Sequence, residues 1–493
     1  MAENTQKVVT RFAPSPTGFM HIGGVRTALF AYLWATKTGG TFILRIEDTD
    51  KAREVEGSIQ QIQDSLKWLG IEWKYGPDKP GPFGSCIQSQ RLDTYREAAQ
   101  KLVDKGLAYP DPFTTEQIEE FRKKAEAEKR PFLFRDYRPE TFEKWDGKQP
   151  LRFKTPEIKR YKWHDVVRGD LEAGEEALDD FILIKGDGYP TYNFAHIVDD
   201  LNMGVTHIFR GDEFISSTPR FLSLYDGLGI TPPVFASLPP ILRDDRTKKL
   251  GKRDGAKDIL DYKSEGYLPE AMMNFLALIG WNPGGDKEIF SRDELVQAFV
   301  LEKIQKGGGA FNEEKLAWMN KEYISKISDE QFFEHAKPFI PAVLLEGKTP
   351  VKLDKIIPLL REKIHVFSEI PALFAPDGEL AFALPSSAGA PAYEGKSLVW
   401  KGTDPSSIKS NLQKALELIS AVAPENFTAE NVKAAVWDFA AAIPKESGGK
   451  GAVLWPMRYA LSGKEKSPDP FVLSEILGKE ETLSRLTHAL SLL

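Results

Sequence analysis

Cysteine is almost absent from this chain: Cys86 stands alone among 493 residues. No intrachain disulfide can form, and every cysteine-based structural zinc pattern fails on count. That economy fits a reducing cytosol. Long apolar runs are absent too. No stretch approaches the roughly 20 residues that a bilayer crossing needs. The opening MAENTQKVVT holds no apolar run of signal-peptide length. A soluble, cytoplasmic protein without membrane attachment is therefore expected. A global basic excess is also lacking, since Asp and Glu (72) outnumber Lys and Arg (65) for a formal charge of −7. An all-over nucleic-acid coat is excluded, whereas a local basic face is not. What remains, 28 % charged and 41 % hydrophobic residues, is the balance of a folded enzyme rather than a disordered chain. The length suggests about three domains.

The apolar pattern begins with a short buried strand over 8–13 (VVTRFA) and the turn-rich PSPTG at 14–18. A helix is predicted from about His21 to Lys37, with Ile22, Val25, Leu29, Tyr32 and Leu33 on one face. A strand over 41–46 and a helix over about 54–69, carrying Val55, Ile59, Ile62, Leu66 and Leu69, follow. Strand, helix, strand, helix with short connections points to an α/β fold with a parallel sheet, its ligand beyond the carboxyl ends of the strands. The stretch from about 76 to 190 is mixed and reads as an insertion. Strand character returns at 181–185 and 206–211. Helices dominate from 268, with candidates over 269–279, 291–304 and 313–320, and the last third is predicted all-helical. Ile408, Leu412, Ala415, Leu416 and Ile419 recur at helical spacing, as do Leu483, Leu486, Leu490 and Leu493.

Two segments suit phosphates. RFAPSPTGFMHIGG at 11–24 sets a sharp turn between a strand and a helix, and the unpaired amides and dipole of a helix start attract anionic oxygens. His21 sits at that entrance, and Gly23 and Gly24 leave the backbone bare for a flat base. Neither a GxGxxG fingerprint nor a P-loop is present here. The second segment, 241–257, carries seven Lys or Arg against three Asp. A basic loop stabilises a departing pyrophosphate; a solvated charged loop has the same composition.

These segments carry a family likeness. HIGG at 21–24 resembles the HIGH signature of class I aminoacyl-tRNA synthetases, and KLGKR at 249–253 resembles their KMSKS loop. RIEDTD (45–50), PTYNFAHIVDD (190–200), GVTHIFRGDEFISSTPR (204–220), FNEEKLAWMN (311–320) and LWPMRYALSG (454–463) are similar to the bacterial-type glutamyl-tRNA synthetases. The segments keep the family's order over essentially the whole chain.

The resemblance implies ATP-dependent activation of L-glutamate through a glutamyl-adenylate, then esterification of the 3′ end of tRNA(Glu), with Mg2+ accompanying ATP. It implies that His21, Lys249 and Lys252 are catalytic and that these three bind ATP together with Gly23 and Gly24. Glutamate offers two carboxylates and one ammonium, so two arginines and one carboxylate complement it. By motif match these are Arg11, Arg210 and Glu47. The implied pocket has Arg11 and Tyr192 reading the side-chain carboxylate and Arg210 the α-carboxylate. Ser15 and Glu47 hold the ammonium, with Ala13 alongside. Each residue also has a plainer use: Arg11 as a surface charge, Glu47 as a partner of Arg45 or Arg53, Tyr192 as core.

The likeness implies a Rossmann-type catalytic domain in two halves, 1–75 and 191–260, split by a connective, acceptor-binding insertion over 76–190. A helical stem-contact domain over 261–325 and a helical anticodon-binding region over 326–493, with a seam near 385–397, would follow. Three departures stand out. Gly251 replaces the serine of the usual KLSKR, Phe214 stands where tryptophan is common, and His196 follows Tyr192 by one helical turn, either facing substrate or packed. The insertion has no cysteines near 109–137, so no zinc is expected. Trp318, Trp400 and Trp455 could stack on tRNA bases, while Trp437 lies in an apolar run. A glutaminyl enzyme would have β-barrels in place of the helical last third, and a non-catalytic RNA-binding paralogue would have lost His21, Lys252 or Glu47. Charging of tRNA(Gln) besides tRNA(Glu) stays open, glutamate activation is expected to need bound tRNA, and a monomer is expected.

Overall fold

The computed structural model describes residues 7–251, 257–349, 351–384 and 393–493. Lys252 and most of the expected seam, 385–392, lie outside them. The chain forms two compact units. One comprises the residues to Ser264 with Leu268–Met319, the other Glu265–Tyr267 with Asn320–Leu493.

The first unit is built on β1 (Val9–Phe12), α1 (Ile22–Lys37), β2 (Thr41–Leu44), α2 (Ser58–Trp68) and α3 (Leu92–Asp104). Then come β3 (Ala108–Pro110), α4 (Thr115–Ala127), β4 (Leu151–Phe153), β5 (Tyr161–Asp165), β6 (Gly169–Ala173) and β7 (Ile182–Ile184). The elements α5 (Tyr192–Asn202), β8 (His207–Gly211), α6 (Thr218–Leu228) and β9 (Val234–Leu238) follow around the sheet. The main sheet has the order β2-β1-β8-β9-β5-β6. Its pairs are parallel except the hairpin β5–β6. That hairpin lies within the mixed stretch of sequence yet extends the main sheet, while β3, β4 and β7 form a separate three-stranded sheet.

Local chemistry explains the boundaries. The backbone of α1 begins after His21, whose ring caps it, and Gly39 at φ 61° lies just beyond its end. Ile22, Val25, Leu29 and Leu33 are buried as predicted, and Tyr32 is half-buried edge-on to Phe42. Ala28, Phe30 and Ala31 are buried as well, because α1 packs on the sheet and on the helices Pro269–Leu278 and Arg292–Ala298. The second predicted helix is shorter than its apolar pattern. Residues 51–53 form a 3-10 turn, Gly57 takes φ 78°, and Val55 is exposed. The helix predicted over 291–304 stops at Ala298 and gives way to a turn at Leu301–Lys303.

In the second unit the described residues contain no strand. Pro405–Ser420 buries Ile408, Leu412, Ala415 and Ile419, leaving Leu416 half-buried. Pro470–Leu492 is broken at Gly478, where φ is 74° and ψ 169°. Trp437 is only half-buried, with Lys433 and Lys450 over its ring at 4.9 and 4.0 Å.

Candidate active site

A cleft opens at the carboxyl ends of β1 and β8, in two adjoining cavities that share Phe12, Ser15, Thr27 and Gly211. The position follows from the parallel sheet, whose strand ends and helix starts face the same side.

The larger cavity, about 620 Å³, lies over the start of α1 and is lined by His21, Gly23, Gly24, Arg26 and Lys249. His21 Nδ1 accepts the Gly23 N–H at 3.1 Å. An accepting Nδ1 leaves the neutral imidazole its proton on Nε2, the atom able to donate to an anion. A Cβ on Gly23 would stand 3.0 Å from His21 Cε1 and 3.2 Å from Nδ1, so this glycine protects the cap. Gly24 is different: a Cβ there would meet Met20 and Phe12 at ordinary distances of 3.5 and 3.6 Å. Arg26 was not singled out by motif. Its guanidinium is buried, bonds the carbonyls of Pro239 and Ile279, and is pushed down to about 10 by burial. It ties α1 to the 239–240 segment beneath the cavity. Lys249 pairs through its backbone with Leu242 and keeps its side chain exposed.

The second cavity, about 520 Å³, is lined by Arg11, Ala13, Ser15, Glu47, Tyr192, Arg210 and Phe214. All the residues expected to hold glutamate therefore meet there. The amide end of α5 opens on it as well, through Pro190, Thr191 and Tyr192, adding the positive end of a helix dipole.

The two arginines differ. Arg11, at the carboxyl half of β1, is paired: its Nε and Nη2 bond Asp200 at 3.1 and 3.4 Å. Arg210 bonds only Thr218 Oγ1, through Nη2 at 2.8 Å. Its Nε and Nη1 are buried, without a partner among the described residues. The guanidinium lies among Phe214, Phe221 and Phe235, 4.8–5.8 Å from their ring centroids, and burial lowers its pKa. Buried donors without partners are rare and cost about 1–3 kcal/mol each. A carboxylate entering this cavity can take one of them in a fork with the remaining Nη2 N–H.

Glu47 is held by Arg45, whose Nη2 and Nε reach Oε1 at 2.9 and 3.3 Å. Oε2 has no partner. Burial raises the Glu47 carboxyl above its usual range, against the pull of Arg45 and Arg11. Its pairing with Arg45 and its place in the cavity are thus compatible. Tyr192 is also both: it lines the cavity and packs on Phe214, with ring centroids 5.3 Å apart.

His196 is a packed histidine. It is 1 % exposed, stacks on Tyr192 at 4.7 Å, meets Phe221 edge-on, and hydrogen-bonds the Tyr192 carbonyl through Nδ1 at 2.7 Å. Burial pushes it down to about 3, so it is neutral.

Sequence reasoning missed the carboxylates behind Arg11 and Glu47. Asp199 accepts from Arg91, Tyr95 and Gln88, and Asp200 from Arg11 and Arg45. Adjacent acids near the end of a helix that is otherwise apolar were the available signal. Among the described residues, no group of three His, Cys, Asp or Glu side chains could hold a metal ion. Among the described residues, Glu213 is the one carboxylate lining the larger cavity. That donor set suits a magnesium ion carried by phosphates and water, which needs one or two carboxylates and no protein cage.

Residues 7–318 match the model for "tRNA synthetases class I (E and Q), catalytic domain", and residues 331–490 that for "Anticodon binding domain". A glutamate–tRNA ligase of Clostridium botulinum (strain Hall) is 42 % identical over 490 residues, covering 98 % of each chain. One from Anaeromyxobacter sp. is 39 % identical over 489 residues, again covering 98 % of each. Among solved structures, a glutamate tRNA ligase of Elizabethkingia meningosepticum, in complex with its amino acid, aligns over 99 % of both chains with a TM-score of 0.85 and 34 % identity.

Proposed function

The chain belongs to the class I tRNA synthetases of the glutamate and glutamine (E and Q) group, and from that membership we propose that it joins L-glutamate to the 3′ end of tRNA(Glu) in an ATP-dependent reaction. The observation that carries this reading is Arg210, whose buried Nε and Nη1 have no partner among the described residues, at a cavity that also holds Arg11 and Glu47.

In the first step an α-carboxylate oxygen of glutamate attacks the α-phosphorus of ATP in line. The new P–O bond gives glutamyl-adenylate, and the bond to the β-phosphate breaks to release pyrophosphate. In the second, a terminal ribose hydroxyl attacks the acyl carbon. The ester forms, AMP departs with the bonding electrons, and the hydroxyl proton is lost. The substrates supply both nucleophiles, so the protein's work is positioning and electrostatic stabilisation.

Arg210 takes the α-carboxylate. Arg11 and the Tyr192 hydroxyl take the side-chain carboxylate, and Glu47 Oε2 with Ser15 takes the ammonium, Ala13 lying alongside. His21 Nε2–H, Lys249 and Lys252 draw charge from the triphosphate as pyrophosphate leaves, over the bare backbone of Gly23 and Gly24. Magnesium, when bound with ATP, neutralises phosphate charge and fixes the geometry of the chain of phosphates. We read the protein as a cytoplasmic monomer whose glutamate activation requires bound tRNA.

The test is glutamate transfer, with ATP and magnesium, onto purified transcripts of tRNA(Glu) and tRNA(Gln). Charging of the first alone defines a discriminating enzyme. Charging of both makes tRNA(Gln) a second substrate, and charging of neither overturns the proposal. Full ATP–pyrophosphate exchange with glutamate in RNA-free protein would overturn the tRNA requirement.

A further inference from the structure

We propose that Asp200 is the positioning residue of the amino-acid reader, setting Arg11 directly and Glu47 through Arg45; this rests on the reading of the cavity as a glutamate site. The connections form one unbroken buried chain. Asp200 Oδ1 accepts from Arg45 Nη1 at 2.7 Å and from Arg11 Nε at 3.1 Å, while Oδ2 accepts from Arg11 Nη2 at 3.4 Å. Arg45 then passes to Glu47 Oε1 at 2.9 Å. Arg45 is fully buried, and Asp200 and Arg11 are 2 % and 4 % exposed.

The arrangement does more than neutralise charge. Asp200 takes the Nε–Nη2 edge of Arg11, and the Phe209 carbonyl accepts from Nη1. The guanidinium plane is thereby fixed, and a planar fork reads a carboxylate only in the right plane. On the other branch, Arg45 holds one oxygen of Glu47 and leaves the second toward the ammonium. A cationic and an anionic reader thus hang from one carboxylate on α5, the helix that also presents Tyr192. Burial alone would raise the Asp200 carboxyl, but Arg11 and Arg45 hold it down at about 2, so it stays ionised. Its neighbour Asp199 lies 3.7 Å from Arg45 Nε as an ion pair, but it accepts its hydrogen bonds from Arg91, Tyr95 and Gln88, away from the cavity.

The experiment is tRNA-dependent ATP–pyrophosphate exchange, with KM for glutamate and for ATP measured separately, on Asp200→Asn and Arg45→Lys. Asp180→Asn serves as the structural comparison. Asp180 is equally buried but bonds Tyr109, Arg138 and Thr155. For either reader variant we expect KM for glutamate to rise tenfold or more while KM for ATP stays within twofold. Asp180→Asn should lower Tm and the active fraction without moving KM for glutamate. A KM for glutamate within twofold of the parent in both reader variants overturns the proposal, as does an equal rise in both KM values. Should Asp200→Asn fail to fold, Arg45→Lys, which keeps the charge but loses the fork, decides alone. Wild-type protein lacking glutamate-dependent exchange would instead count against the function itself.

Discussion

Replacing Arg210 by methionine should make this protein less active without making it less stable. The unliganded protein gives up the Nη2 bond to Thr218, and Thr218 Oγ1 keeps its bond to the Phe214 carbonyl. It also gives up the attraction of the guanidinium to three aromatic faces, about 0.5–2 kcal/mol each. Against that, two buried nitrogens without a hydrogen-bond partner disappear, each worth about 1–3 kcal/mol, along with a charge held in a dry site. Methionine keeps an unbranched apolar stem against the phenylalanines. The opposing terms are of similar size, so Tm should stay level or rise by a few degrees, at about 2 °C per kcal/mol for a unit of this size. The liganded state loses everything. Truncating one partner of a buried, hydrogen-bonded charge pair costs about 2–5 kcal/mol, which is about 30-fold to several-thousand-fold in kcat/KM for glutamate. Exchange kinetics with bound tRNA, alongside thermal melts with and without glutamate, measure both. Retention of kcat/KM within tenfold, or a Tm lowered by more than about 5 °C, would refute the reasoning. The second outcome would mean that Arg210 supports the fold.

Other predictions separate cap, shape and charge. His21→Ala should lose about 1 kcal/mol of stability with the cap and most of the exchange rate; His21→Asn should recover the melt but not the rate, as calorimetry and exchange assays will show. Gly23→Ala should slow exchange more than tenfold by pushing the His21 ring aside, whereas Gly24→Ala, placed at ordinary contact distances, should melt as the parent does. Burial holds His196 at about 3 in the folded protein, so between about pH 6.5 and pH 3 the unfolded chain binds one more proton there. Stability should fall as pH drops through that window, by up to about 1.4 kcal/mol per unit. His196→Phe should flatten the fall in Tm between pH 6.5 and 4; an unchanged slope would show that other groups dominate.

Much of the catalytic unit was legible because strand and helix each announce themselves locally. The periodicity of α1 and its start at His21 follow from a cap and an apolar face. The α2 boundary was not legible, because Val55 fits the helical spacing and only the conformation of Gly57 ends the pattern. Motif matches gathered the readers Arg11, Glu47, Tyr192 and Arg210, but not what supports them. The pairing of Arg11 with Asp200 spans 189 residues of sequence, and no local signal says which of two adjacent aspartates faces which arginine. His196 was ambiguous for a related reason. Helical spacing puts it near Tyr192, and only Phe221, arriving from α6, shows that it lies behind the ring rather than beside it.

The wall common to the two cavities has an evolutionary consequence. Phe12, Ser15, Thr27 and Gly211 each border both, so under the proposed function a change at any of them would perturb nucleotide and amino acid together. Drift toward another amino acid is channelled to the far side, where Lys185, Tyr192 and Phe214 border one cavity only. Phe214 is the most accessible of these routes. It bonds through its backbone carbonyl, which survives any substitution, and its ring packs on Tyr192 at the edge of the second cavity. Library selections for altered substrate choice would therefore enrich variants at position 214 well before any at position 27.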